Sequence, residues 1–151
     1  MTIKIGINGM GRIGRMVLRS VIESQNKKIK IKHINNRSGP ETTCALLKYD
    51  SIHGKFNAKL DFEKDKLKIN KNKISFSQEN KIENINWKKF DVDIVFECTG
   101  KFNVKDKLLS HIQNGAKKVI VSAPCKNADK TIVFGVNEKI LTKDDEIISA
   151  A

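Results

Sequence analysis

Gly9-Met10-Gly11-Arg12-Ile13-Gly14 is the stretch on which the fold turns. Before it, Thr2-Ile3-Lys4-Ile5-Gly6-Ile7-Asn8 alternates apolar and other residues, so 2–8 reads as a strand. After it, Ile13, Met16, Val17, Val21 and Ile22 fall at helical spacing, so 12–24 reads as an amphipathic helix. A bare G-x-G-x-x-G says little. Placed directly after a strand and opening a helix, it is the arrangement that holds a dinucleotide. Gly9 permits a tight turn, Gly11 lets the backbone approach a pyrophosphate without a Cβ between them, and Gly14 lets helix and strand pack closely. The helix N-terminus then offers unpaired N–H groups and a partial positive charge to the phosphates.

Outward from that turn the strand–helix rhythm continues. Gln25 to Lys28 ends the first helix, and Ile29, Ile31 and Ile34 mark a second strand ending at Asn35-Asn36. Residues 40–48 form a short helix with proline at an early position. Between 55 and 78 apolar and charged residues alternate, with breaks at 63–65 and 70–72, which predicts a small antiparallel insertion. Strands over 92–97 and 118–122 flank a helix over 104–114, and Ile132-Val133-Phe134 and Ile147-Ile148 read as two further strands. Short apolar strands separated by helices point to α/β architecture around a mostly parallel, doubly wound sheet.

Composition narrows the function classes. A chain of 151 residues, 39% hydrophobic and 30% charged, suits one globular domain, and no apolar run reaches membrane-spanning length. The first residues lack the apolar core of a signal peptide, so a cytoplasmic location is expected. Cys44, Cys98 and Cys125 are scattered and form no C-x-x-C, and His33, His53 and His111 lie far apart, so neither a metal site nor a disulfide framework is indicated. The net charge of +12 raises the question of nucleic acid. The lysines are spread over 55–81, 101–118 and 126–143 rather than forming one block, and no aromatic residues interleave with them as stacking platforms, which argues against such a partner.

The tip of the second strand bears on which dinucleotide is chosen. An acidic residue there would accept hydrogen bonds from the ribose 2′-hydroxyl of NAD and repel the 2′-phosphate of NADP. This chain has Asn35-Asn36-Arg37-Ser38 instead. Asn36 can bond a hydroxyl without carrying charge, and Arg37 and Ser38 can meet a phosphate. The expected cofactor is NAD or NADP.

Five blocks in order carry a resemblance. Ile5 to Arg15, Leu46-Leu47-Lys48-Tyr49-Asp50-Ser51-Ile52-His53-Gly54-Lys55-Phe56, Glu97-Cys98-Thr99-Gly100-Lys101-Phe102, Gly115 to Pro124, and Phe134-Gly135-Val136-Asn137 together resemble the glyceraldehyde-3-phosphate dehydrogenase family. The resemblance spans nearly the whole chain and implies a Rossmann-type dinucleotide-binding domain over 1–151. It places Arg12 and Ile13 at the pyrophosphate and Asn36 at the position of the family's ribose-binding aspartate. It puts Thr99, Gly100 and Phe102 near the adenosine half, and Ser122 toward the nicotinamide. Asn80 falls where the family often has a basic residue before the tryptophan at 87. The family's catalytic cysteine and histidine are expected beyond Ala150-Ala151, so this chain is expected to bind cofactor without turnover. His53 then reads as a packing or subunit-contact residue, Cys98 as a small core residue, and the parent enzyme as a homotetramer. An erythrose-4-phosphate dehydrogenase domain and a non-catalytic nucleotide- or RNA-binding module are the alternatives.

Overall fold

The computed structural model describes residues 1–151. In chain order the elements are β1 (Ile3–Asn8), α1 (Arg12–Glu23), β2 (Ile29–Asn35), α2 (Pro40–Lys48), β3 (Tyr49–Asp50), β4 (Gly54–Lys55), β5 (Leu60–Glu63), β6 (Lys66–Ile69) and β7 (Asn72–Ser77). There follow β8 (Ile94–Glu97), α3 (Lys105–Gln113), β9 (Lys118–Val121), β10 (Lys130–Thr131) and β11 (Ile147–Ser149). Nine strands form one sheet in the order β10-β11-β9-β8-β1-β2-β7-β6-β5, and β3 and β4 make a separate two-stranded hairpin. The pairings β7–β2–β1–β8–β9–β11–β10 are all parallel. Strand order runs one way from β1 through β2 to β7 and the other way through β8 to β9, which puts the topological switch point between β1 and β8. No helix is long and apolar enough to cross a membrane.

The antiparallel stretch read from 55–78 is present, and its turns fall near the predicted breaks. Leu60↔Ile69 and Leu67↔Ile74 pair across the two hairpins. Its last strand has a second role. His33↔Ser75 and Asn35↔Ser77 are parallel pairs, so β7 is also the third strand of the parallel half-sheet. One expectation fails. Ile132-Val133-Phe134 is not a strand; β10 ends at Thr131, and Val133 and Phe134 are 54% and 90% exposed. Three apolar residues in a row imitate a buried strand, but Val136 and Asn137 N–H groups turn back onto the carbonyl of Val133 instead of continuing a ladder.

Two cores sandwich the sheet. On one face α1 and α2 press Leu18 and Leu47 onto Ile5, Ile7, Ile31 and Ile34 of the central strands and Leu67, Ile69 and Ile74 of the outer ones. On the other face Leu108 of α3 packs with Trp87, Val92, Val95 and Val119. Trp87 packs against β1 at Gly6, where an added Cβ would stand 2.5 Å from the indole ring. Burial of this kind stabilises by roughly 1.5–3 kcal/mol for each large side chain, which fixes the strands whose carboxyl ends form the site.

Candidate functional site

The glycine turn is shaped by close contact. Gly9 adopts φ +94°, and a Cβ there would meet the Thr99 backbone nitrogen at 2.9 Å. Gly14 is tighter still: a Cβ would stand 2.0 Å from the Gly9 carbonyl oxygen. Gly11 differs, because a Cβ added there meets nothing within 4 Å. It caps α1 with extended backbone, no side chain caps the helix, and the first turn carries no acidic residue. The unpaired N–H groups of that turn therefore face open space with no competing anion.

That space is a cleft of about 190 Å³ at the carboxyl ends of β1, β2 and β8. Among the residues expected at the site, Gly9, Gly11, Asn36, Arg37, Thr99 and Phe102 line it. The other expected residues lie outside its wall. The Arg12 side chain is half exposed and faces Asp50 at 3.8 Å, and Ile13 is 49% exposed. Gly14 is buried beneath the turn, Gly100 is exposed with φ +69°, and Ser122 donates from its hydroxyl to the Glu97 carbonyl at 3.2 Å. Lining residues that sequence reasoning missed include Asn8, Asn35, Glu79, Ile82 and Lys101. Cys98 is both a small core residue and part of the cleft wall, and burial pushes its thiol up to about 11. A larger hollow of about 650 Å³ sits at the opposite ends of the strands, beside Gln25, Asn26 and Asn72, away from the glycine turn.

At the tip of β2 the Asn36 carboxamide is occupied by its own chain. Its Oδ1 accepts from the Met10 N–H at 3.1 Å, and its Nδ2 donates to the Ser38 carbonyl at 3.1 Å. Asn36 thus ties the second strand to the glycine turn. Arg37 is exposed, and no carboxylate lies within 4.0 Å of its guanidinium; only its carbonyl is engaged, by Gln78. A small polar hollow beside it is lined by Arg37, Ser38, Gln78 and Asn80.

Beneath the cleft runs a buried polar chain. Glu97, 1% exposed, accepts four hydrogen bonds: from Asn8 Nδ2 at 2.6 Å and His111 Nε2 at 2.9 Å on Oε2, and from the Thr99 N–H and hydroxyl on Oε1. The Trp87 indole N–H can only donate, and it points at His111 Nδ1 from 2.9 Å. Nδ1 therefore accepts, and the ring proton on Nε2 is donated to Glu97 Oε2. On the other side Asn8 Oδ1 accepts from Asn35 Nδ2 at 2.9 Å, and Asn35 Oδ1 accepts from the Ser77 hydroxyl at 2.7 Å. His33 lies between the hydroxyls of Ser75 and Ser77; burial, reinforced by the Lys89 ammonium, pushes it down to about 3. This chain crosses β7, β2, β1, β8 and α3 and holds the Thr99 segment in place. His53, outside it, is exposed with Nδ1 3.0 Å from Asp50 Oδ1, and the His53 and Ile52 N–H groups hold the Asp50 carboxyl well below the usual carboxylate range.

The residues fit a dinucleotide on the observations above: a free helix N-terminus, a glycine offering close approach, and polar groups at the strand ends. Comparison with known proteins agrees. Residues 3–105 match the family model described as glyceraldehyde 3-phosphate dehydrogenase, NAD binding domain. The chain is similar to the glyceraldehyde-3-phosphate dehydrogenase of Cereibacter sphaeroides, 45% identical over 151 residues, covering 100% of this chain and 45% of that protein. It is 43% identical to glyceraldehyde-3-phosphate dehydrogenase 2 of Bacillus subtilis over 148 residues, covering 98% and 43%. It is 44% identical to the Mycoplasma pneumoniae glyceraldehyde-3-phosphate dehydrogenase over 151 residues, covering 99% and 44%. The chain thus spans slightly under half the length of these relatives.

Proposed function

The chain belongs to the glyceraldehyde 3-phosphate dehydrogenase family as an NAD-binding domain, and from that premise we propose that residues 1–151 supply the dinucleotide half of a phosphorylating dehydrogenase. The whole enzyme would oxidise glyceraldehyde 3-phosphate to 1,3-bisphosphoglycerate in the cytosol as a homotetramer. The bound nicotinamide supplies the hydride acceptor. The chain's own residues orient it: the first turn of α1 meets the pyrophosphate at Gly11, Arg12 and Ile13, and Thr99, Gly100 and Phe102 bound the adenosine half. Ser122, just after β9, would face the nicotinamide.

The observation that carries this reading is the uncapped, acid-free N-terminus of α1 opening under Gly11 onto the cleft. Arg37, free of any carboxylate, supports use of NADP beside NAD, because a guanidinium can meet a 2′-phosphate with two parallel hydrogen bonds. Calorimetric titration with each oxidised cofactor tests the binding step: heat with both is expected, and no heat with either from folded protein overturns it. The substrate assignment is tested on the complete enzyme. Turnover of glyceraldehyde 3-phosphate with inorganic phosphate is expected, and a preference for erythrose 4-phosphate overturns that part alone.

A further inference from the structure

Lysines far apart in the sequence meet on one uncovered face of the sheet. Leu67, Ile69 and Ile74 of β6 and β7 turn inward to the core under α1 and α2. Their alternating neighbours turn the other way, where α3 and Trp87 cover β1 and β8 but not the outer strands. There Lys30 and Lys32 of β2, Lys66 of β6, Lys73 of β7 and Lys89 surround a hollow of about 330 Å³ floored by Ser75. It shares no residue with the dinucleotide cleft.

The charges in the hollow are not balanced. Its one carboxylate, Asp91, is already paired with Lys4. Lys66 faces Glu63 at 3.7 Å and Asp65 at 4.0 Å. Neighbouring Lys68 is held by Glu63 and Asp61. Lys30, Lys32, Lys73 and Lys89 have no carboxylate within 4.0 Å. Four unpaired ammonium groups around one concavity repel one another, and a bound multivalent anion would offset that repulsion. Lysine acts on such a ligand as a compact point charge with rotatable donors, a match for phosphate oxygens. The single aromatic ring in the wall, Phe90, is stacked on His33 with centroids 3.8 Å apart, and the Lys89 ammonium stands over the ring 5.5 Å from its centroid, so a nucleobase would have to displace one of them to stack there.

We propose that this hollow is a second anion site, for a compact oligophosphate recognised by its charge and not by a base. The test uses the full chain saturated with NAD, titrated calorimetrically with inorganic tripolyphosphate. One saturable, salt-sensitive event is expected. The paired change Lys32→Gln with Lys73→Gln should weaken it about tenfold, while NAD affinity and the thermal midpoint stay as in the parent protein. Absence of saturable heat overturns the site. Equal binding by the double variant overturns it too, since that marks diffuse surface charge. Binding seen with NAD-free protein but absent from the NAD-saturated chain places the anion in the cleft and overturns it as well. A short oligothymidylate that binds through the same lysines more tightly than tripolyphosphate overturns the choice of a compact ligand.

Discussion

At the glycine turn the cleft is shaped by main chain packed against main chain, with Gly14 against the Gly9 carbonyl and Gly9 against Thr99. At the tip of β2 it is shaped by side chains, with the Asn36 carboxamide spent on Met10 and Ser38 and the Arg37 guanidinium left free. Gly9 and Gly14 in the first region tolerate almost no substitution, because the space beside them is taken by backbone atoms that cannot move aside. In the second, the Arg37 side chain can be exchanged without disturbing the backbone, since its guanidinium holds no main-chain group, while Asn36 is tied to the turn through Met10. The difference suggests that diphosphate binding is set by sterics and the choice of cofactor by exchangeable polar groups.

Four substitutions break or sharpen that contrast. Gly14→Ala should cost about 3 kcal/mol or more of stability, since its methyl meets a carbonyl oxygen at 2.0 Å; a urea melt matching the parent protein would show that the turn relaxes. Glu97→Gln should cost about 2–3 kcal/mol, because whichever way the amide is turned its NH2 faces N–H donors from Asn8, His111 or Thr99. The same variant should bind NAD more weakly, as the Thr99 segment loses its anchor; a cleft indifferent to this change would detach the buried chain from binding. Gly11→Ala should leave stability within about 0.5 kcal/mol while weakening NAD at least ~tenfold, equivalent to about 1.4 kcal/mol. Loss of both together would make Gly11 another packing glycine like Gly14. Smallest of all, Arg37→Gln should lower NADP affinity ~fivefold with less than about a twofold change for NAD; equal losses for the two cofactors would remove Arg37 from phosphate recognition.

Much of this was legible in the residues. The β1–turn–α1 unit could be read because each of its glycines sits between periodic segments, and the helix boundaries of α2 followed from Pro40. Parallel pairing of β7 with β2 was not legible: alternation in 72–77 says that one face is buried but not which strand lies alongside. Val133 and Phe134 misled because an apolar triplet is as compatible with an exposed turn as with a strand. The polar chain beneath the cleft leaves a trace in the strand ends. β1, β2, β7 and β8 end in Asn8, Asn35, Ser77 and Glu97, polar residues closing otherwise apolar or alternating strands. What joins those ends is three-dimensional, since His111 reaches Glu97 from a helix and Trp87 reaches His111 from a loop.

Trp87 is the chain's single tryptophan, fully buried and bonded to the same imidazole that braces Glu97. Its fluorescence therefore arises from one place in the molecule, at one end of the hydrogen-bonded relay under the cofactor cleft. An indole whose N–H is held in a dry setting emits at shorter wavelength than one in water. A red shift in this protein would thus signal that the relay has opened at Trp87, giving an optical gauge of that local event without an added label.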